Sequence, residues 1–363
     1  MTHPTRRAVL AAGLSMPLAA QATSGSRNRP AGKLLVLGGT RFLGPPIVQA
    51  AQAAGWEVTL CNRGRSNPGM FADLERIVMD RNDCDATPLR GRKFDAVVDT
   101  SGYAPLHVQL ACEALADSVD HYVFVSTVSV YPDQSAAVVD EDTETGSVDA
   151  ASIAEARTIR QATRRYGAMK AECERAAEKA MPGRVTNVRP GLIVGPRDTS
   201  RRFSYWPARV ARGGEILAPA NPDAETQVID VRDLGNWCFE LADNKTSGAF
   251  NAVGFKGRVS LAEVLHACKL TLNTECEFTW VDEDFLLANK ARPYTELPLW
   301  LPKGQRGHFA NDRAVAAGLS FRPLVVTIAD CQEWRLSLPP EQREKFRLTP
   351  EREAEWLKAF KAR

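Results

Sequence analysis

The sequence predicts an α/β fold, a doubly wound parallel sheet followed by a smaller C-terminal lobe. Three observations predict it. Continuous apolar runs alternate with helical spacing through the first half of the chain. The first of these runs ends in a glycine-rich turn that leads into a helix. Beyond Pro190 the texture changes to shorter pieces richer in Pro, Gly and aromatic residues. Strands without a polar face need cover on both sides, which is the pattern of a parallel sheet between helices.

Each element follows from its local pattern. Lys33 to Leu37 is the first strand, Gly38-Gly39 the turn, and the stretch to Ala54 a helix. Further strands are read over Glu57 to Cys61, Arg76 to Met79, Ala96 to Asp99, Tyr122 to Ser126 and Arg184 to Arg189. A long helical pattern runs from about Ile153 to Ala180. In the second half, Thr226 to Val231 and Ala249 to Val253 are strand-like, Ser260-Leu-Ala-Glu263 is a capping box that opens a helix, and the segment from Thr349 onward reads as a surface helix.

Composition bounds the function. A chain of 363 residues with 44% hydrophobic and 25% charged content is globular. Its 46 basic and 44 acidic residues leave a formal charge of +2, too weak a field to suggest a nucleic-acid partner. Arg6-Arg7 precedes an apolar, Ala-rich run to Ala20 and then Gln21-Ala22. This resembles a twin-arginine signal peptide over 1–22, cleaved after Ala22, which predicts export, a periplasmic location and the twin-arginine translocase as a transient partner. The run is too short for a permanent membrane span, and no later stretch reaches the roughly 20 apolar residues required. The eight cysteines include no C-x-x-C pair, so no metal site is expected; Cys268 and Cys276 are the closest pair in sequence if a disulfide forms after export.

The chemistry concentrates in a few places. In LLVLGGTRFLG, residues Gly38, Gly39, Thr40, Arg41, Phe42, Leu43 and Gly44 make the strand-to-helix turn that lets backbone approach a pyrophosphate. That places a Rossmann-type dinucleotide domain over 33–190, after a 23–32 linker. A substrate lobe follows over 191–335, partly interleaved with the sheet, and a helical tail over 336–363. The second strand ends in Cys61-Asn62-Arg63-Gly64-Arg65 with no acid, which favours NADP over NAD, with Asn62 and Arg63 on the cofactor. Asp80 suits an adenine amino group, and Thr100 lies beside the turn.

Tyr166 and Lys170, four apart on a helix, share a face. A phenol with an ordinary pKa near 10 needs a neighbouring cation to act as a base near neutrality. Thr127, at the end of the fifth strand, adds a hydroxyl that can donate to a developing oxyanion, with Ser129 close by.

Together the glycine turn, the Ser126-Thr127-x-x-Val130-Tyr131 element, Tyr166-x-x-x-Lys170, Arg189 to Pro196 and Gln227 to Asp233 resemble the extended short-chain dehydrogenases/reductases of the NAD-dependent epimerase/dehydratase type, over roughly Lys33 to Gly254. The resemblance implies Tyr166 as acid/base, Lys170 lowering its pKa and holding the nicotinamide ribose, Thr127 polarising the substrate oxygen, and Pro190 to Leu192 lining the nicotinamide pocket. The sequence departs from the family at Arg41, where a glycine is usual, at Met169, and at Asp99-Thr100-Ser101-Gly102.

In the lobe, Arg197, Arg201, Arg202, Tyr205, Trp206, Arg209, Gln227 and Arg232 suit a small-molecule substrate such as a nucleotide sugar, and with the acids at Asp198, Asp223, Glu225 and Asp230 they equally suit an ion-paired surface. An NADPH-dependent carbonyl reductase and a non-catalytic redox-sensing or RNA-associated protein of this fold are the alternatives. Homodimerisation is compatible with the sequence.

Overall fold

The computed structural model describes residues 31–305 and 307–363. The signal peptide expected over 1–22 and most of the 23–32 linker lie outside the described residues.

The first strands are β1 (Lys33–Leu37), β2 (Glu57–Asn62), β3 (Glu75–Val78), β4 (Phe94–Asp99) and β5 (Val119–Val125). After a short β6 (Val138–Val139) come β7 (Val185–Pro190), β8 (Leu192–Val194), β9 (Gly214–Pro219), β10 (Val228–Asp230), β11 (Gly248–Ala252), β12 (Cys276–Val281) and β13 (His308–Phe309). Seven of them form one sheet in the order β11-β7-β5-β4-β1-β2-β3, every pair parallel. Alternate residues of β1 serve different cores: Leu34 and Val36 pack on one face of the sheet, Leu35 and Leu37 on the other. The doubly wound fold is therefore present, and the order in which strands are added reverses between β1 and β4. Ligands of such sheets bind in the crevice beyond the strand ends at that point.

The first eight helices are α1 (Gly44–Ala53), α2 (Pro105–Leu115), α3 (Ala150–Glu155), α4 (Ile159–Ala162), α5 (Tyr166–Ala180), α6 (Tyr205–Ala211), α7 (Val231–Asn244) and α8 (Leu261–Leu272), of which α1, α4 and α5 line the crevice. The single long helix expected from Ile153 to Ala180 is instead broken into pieces. Asp149 caps α3 by accepting from the Ser152 amide, and Thr158 caps α4 in a capping box with Gln161. Side chains that bond nearby backbone offer an alternative to a continuous helix, so each restarts the chain. Tyr166 thereby stands at the first turn of α5.

The later half builds a second core around Phe203, Trp206, Leu217, Trp300 and Trp356, while α7 and β11 return to the main sheet. The C-terminal helix Pro350–Lys361 is more than a surface element, because it buries Glu353, Trp356 and Leu357 in this core. All eight cysteines are free thiols, so Cys268 and Cys276 are not joined, and burial pushes both thiols up. Among the described residues no helix is long and apolar enough to cross a membrane, and no cluster of metal-ligating side chains occurs.

Candidate active site

A cleft of about 970 Å³ opens at the C-terminal ends of β1, β2, β4 and β5. Its floor is the glycine turn. Gly38 and Gly39 have φ of +117° and +88°, a left-handed region costly for other residues. A Cβ on Gly44 would lie 2.5 Å from the Gly39 backbone, so Gly44 packs helix against turn and does not itself line the cleft. Pro45 and Pro46 follow and have no N–H, and the Gly44 amide donates to the Arg41 carbonyl. The amides able to face an anion thus belong to the turn ahead of Gly44.

Several predicted cofactor residues shape this turn. The Asn62 amide donates to the Gly38 carbonyl at 2.7 Å and accepts from the Gly64 amide at 2.8 Å. The Thr100 hydroxyl donates to the Leu37 carbonyl at 3.0 Å. Asp80 caps a short helical turn by accepting from the Asn82 amide, 4.0 Å from Arg63. Thr40, Arg41, Phe42, Leu43, Arg63 and Pro190 line the same cleft.

Tyr166, Lys170 and Thr127 come together on one wall. Their approach depends on Gly167, because a Cβ there would lie 1.9 Å from the Ser129 carbonyl oxygen. Helix α5 can therefore press directly on the 128–130 segment, whose first turn is capped by Thr127 accepting from the Ser129 amide. Lys170 is buried. Its ammonium donates to the Gly102 carbonyl at 2.6 Å and the Val125 carbonyl at 2.7 Å, and stands 3.9 Å from the Phe124 ring centroid. Burial brings its pKa down to about 8. The phenol of Tyr166 is pushed up to about 12 by burial and by the neighbouring Tyr103 phenol, while Thr127 and Arg202 pull it down. The Lys170 ammonium is directed at the two carbonyls, one turn along the helix from the Tyr166 backbone.

The residues present fit a nicotinamide dinucleotide. The left-handed glycines leave a cradle for a pyrophosphate, Arg63 lines the cleft at the end of β2, and the buried Ser126 hydroxyl in the cleft wall has no hydrogen-bond partner. With two of its three N–H groups committed to carbonyls, Lys170 keeps one for a ribose hydroxyl.

Of the predicted substrate residues, Ser129, Arg197 and Arg202 line the cleft. The others do not. Tyr205 is buried between Trp206 and Phe346, and the Trp206 indole donates to the Pro298 carbonyl. Arg209 forms a buried pair with Glu353 at 2.6 Å, and Arg232 pairs with Asp230 and Asp330. Gln227 is engaged by the backbone of Phe309. These arginines and aromatics hold the lobe together, a use that composition does not distinguish from ligand binding.

Sequence reading missed other members. Arg81 pairs with the buried Asp99 at 2.7 Å, and Asp99 also accepts from the Tyr122 hydroxyl and the Ser101 amide. This network fixes the 99–103 loop that presents the Gly102 carbonyl to Lys170. Asp99 was visible as a departure from an apolar strand end. Tyr103, whose ring lies 6.3 Å from that of Tyr166, and Tyr294 and Trp334 carry no signal of their own.

Among solved structures, MoeE5 in complex with UDP-glucose and NAD is 20% identical, with a TM-score of 0.60 over 85% of this chain and 100% of that one. Human epimerase family protein SDR39U1, isoform 2, with NADPH is 20% identical, with a TM-score of 0.58 over 83% and 99%. At these identities the likeness shows the fold. A chloroplast stem-loop binding protein of 41 kDa b from Arabidopsis thaliana is 26% identical over 248 residues, 62% of this chain, and this chain spans only 59% of that relative. The NAD dependent epimerase/dehydratase family model matches residues 34–253, and the chain belongs to that family.

Proposed function

We propose that the protein is an NAD(P)-dependent oxidoreductase of the epimerase/dehydratase type that acts on a hydroxyl or keto carbon, with a nucleotide sugar as the substrate class. The observation that carries this reading is the convergence of Tyr166, Thr127 and Lys170 on the wall of a cleft floored by the glycine turn. A bound nicotinamide supplies hydride transfer. The chain's own residues handle everything else.

The Tyr166 phenol takes the proton of a substrate hydroxyl when the carbon is oxidised and returns it when the carbonyl is reduced. Thr127 donates a hydrogen bond to the same oxygen as charge develops on it. Lys170, held by Gly102 and Val125, presents its remaining N–H to the ribose and keeps a positive charge beneath the site. Arg63 and Arg65, with no acid at the end of β2, favour NADP.

Export by a twin-arginine signal is part of this proposal. A protein carried outside the cytoplasm keeps its dinucleotide and regenerates it in each cycle, which favours epimerisation or dehydration over net reduction. Mass spectrometry of the protein as isolated tests this: retained dinucleotide and a start at Thr23 support it, and free exchange with external NADPH points to a carbonyl reductase.

The Arabidopsis relative, named for stem-loop binding, favours a second reading, a nucleic-acid-associated member of the family. A phenol set beside Thr127 and Lys170 in a dinucleotide cleft has no task in such a protein, and the balanced charge offers little to a phosphate backbone. Turnover of nucleotide sugars and small ketones by the native protein and Tyr166→Phe separates the two. Activity lost with the phenol supports the enzyme; equal activity removes Tyr166 from the mechanism.

A further inference from the structure

The turn between β8 and α6 carries a guanidinium held in an organised setting. Asp198 is buried, and its carboxylate accepts from the Ser200 amide and the Ser200 hydroxyl, each at 2.8 Å. The Ser200 oxygen in turn accepts from Nε of Arg202 at 3.1 Å. The Arg202 guanidinium carbon stands 5.1 Å from the Tyr294 ring centroid. Nε is thus committed while the two terminal nitrogens, the fork that matches an oxyanion, are not paired with any carboxylate within 4 Å among the described residues. Arg202 and Tyr294 both line the cleft, and the charge of Arg202 acts on the Tyr166 phenol. Arg197 and Arg201, in the same turn, have φ of +70° and +57°, strain of a kind that gathers at ligand clamps.

We infer that Arg202, aimed by the Asp198–Ser200 relay and backed by Tyr294, is an anion anchor that selects substrates carrying a phosphate or carboxylate within reach of Tyr166. This rests on the reading of Tyr166 as the reacting group and adds what the substrate must carry. Phosphate and carboxylate present the same paired oxygens to a guanidinium fork, and two probes tell them apart.

The test is a calorimetric titration of the full-length protein with UDP-glucose, D-glucuronate and D-glucose, for the native chain, Arg202→Gln, Arg202→Lys and Ser200→Ala, with NADPH titrated in parallel. Arg202→Gln is expected to weaken an anionic probe about tenfold, and Arg202→Lys and Ser200→Ala about threefold, with NADPH binding and melting temperature retained. An effect confined to UDP-glucose assigns phosphate, and one confined to D-glucuronate assigns carboxylate. The inference is overturned if the native protein binds neither anion, if Arg202→Gln binds them as the native protein does, or if D-glucose is weakened equally. Failure of NADPH to bind would count instead against the oxidoreductase reading.

Discussion

Gly167 and Ser129 stand so close that a methyl group on the first would lie 1.9 Å from the carbonyl oxygen of the second. The glycine that follows Tyr166 is therefore a requirement of assembly: it lets α5 approach the strand end that carries Thr127. Gly167→Ala should push the helix outward, lowering stability by about 1–3 kcal/mol and turnover more steeply than NADPH affinity. Thermal melts with kinetic assays check this; an unchanged ratio of turnover to affinity would count against the contact as the device that unites the pair.

Burial of Lys170 makes a pH prediction. Its folded pKa of about 8 lies below the ordinary lysine value of 10.5, so between those values the unfolded chain binds a proton that the folded chain has released. Stability then rises with pH across that window, and below about 8 the cost of burying the ammonium is fully present. The difference in unfolding free energy between the native protein and Lys170→Met should grow in favour of the native chain from pH 8 to pH 10. A flat difference would show that Lys170 is not desolvated.

Arg209 and Glu353 join α6 to the C-terminal helix through a buried pair, and the Glu353 carboxylate also accepts from the Leu217 amide. Glu353→Gln leaves a buried guanidinium uncompensated and should cost about 3–5 kcal/mol. NADPH binding to the protein that remains folded should be unchanged, as expected of a residue outside the cleft. A stable variant with altered cofactor affinity would return Arg209 to the site.

Arg63 and Arg65 line the cleft beyond β2, whose own end carries no acid, and Asp80 from the next strand end stands 4.0 Å from Arg63. Arg63→Ala should weaken NADPH about tenfold and leave NADH nearly unaffected. Equal losses for both nucleotides would place the arginine elsewhere than at the ribose phosphate.

Much of this was legible in the sequence for a physical reason. Buried strands such as Leu34 to Leu37 are apolar on both faces, turn glycines sit where φ must be positive, and a four-residue helical interval aligns Tyr166 with Lys170. What was not legible depends on distant partners. Arg209 and Arg202 read alike in the sequence until Glu353, far along the chain, is seen to hold the first and the Asp198–Ser200 relay to aim the second. The break before Tyr166 was hidden because Asp149 and Thr158 are polar residues that a helix also tolerates, and only their caps reveal the restarts.

The central claim is that this cleft holds a nicotinamide dinucleotide beside an acting phenol. Titration of nucleotide-free protein with NADPH and NADH, native and Tyr166→Phe, tests it most directly when turnover is followed on the same samples. The account predicts saturable binding of one dinucleotide per chain, tighter for NADPH, kept by Tyr166→Phe while its turnover falls at least about a hundredfold. Absence of dinucleotide binding to the native chain, or full turnover by Tyr166→Phe, would contradict it.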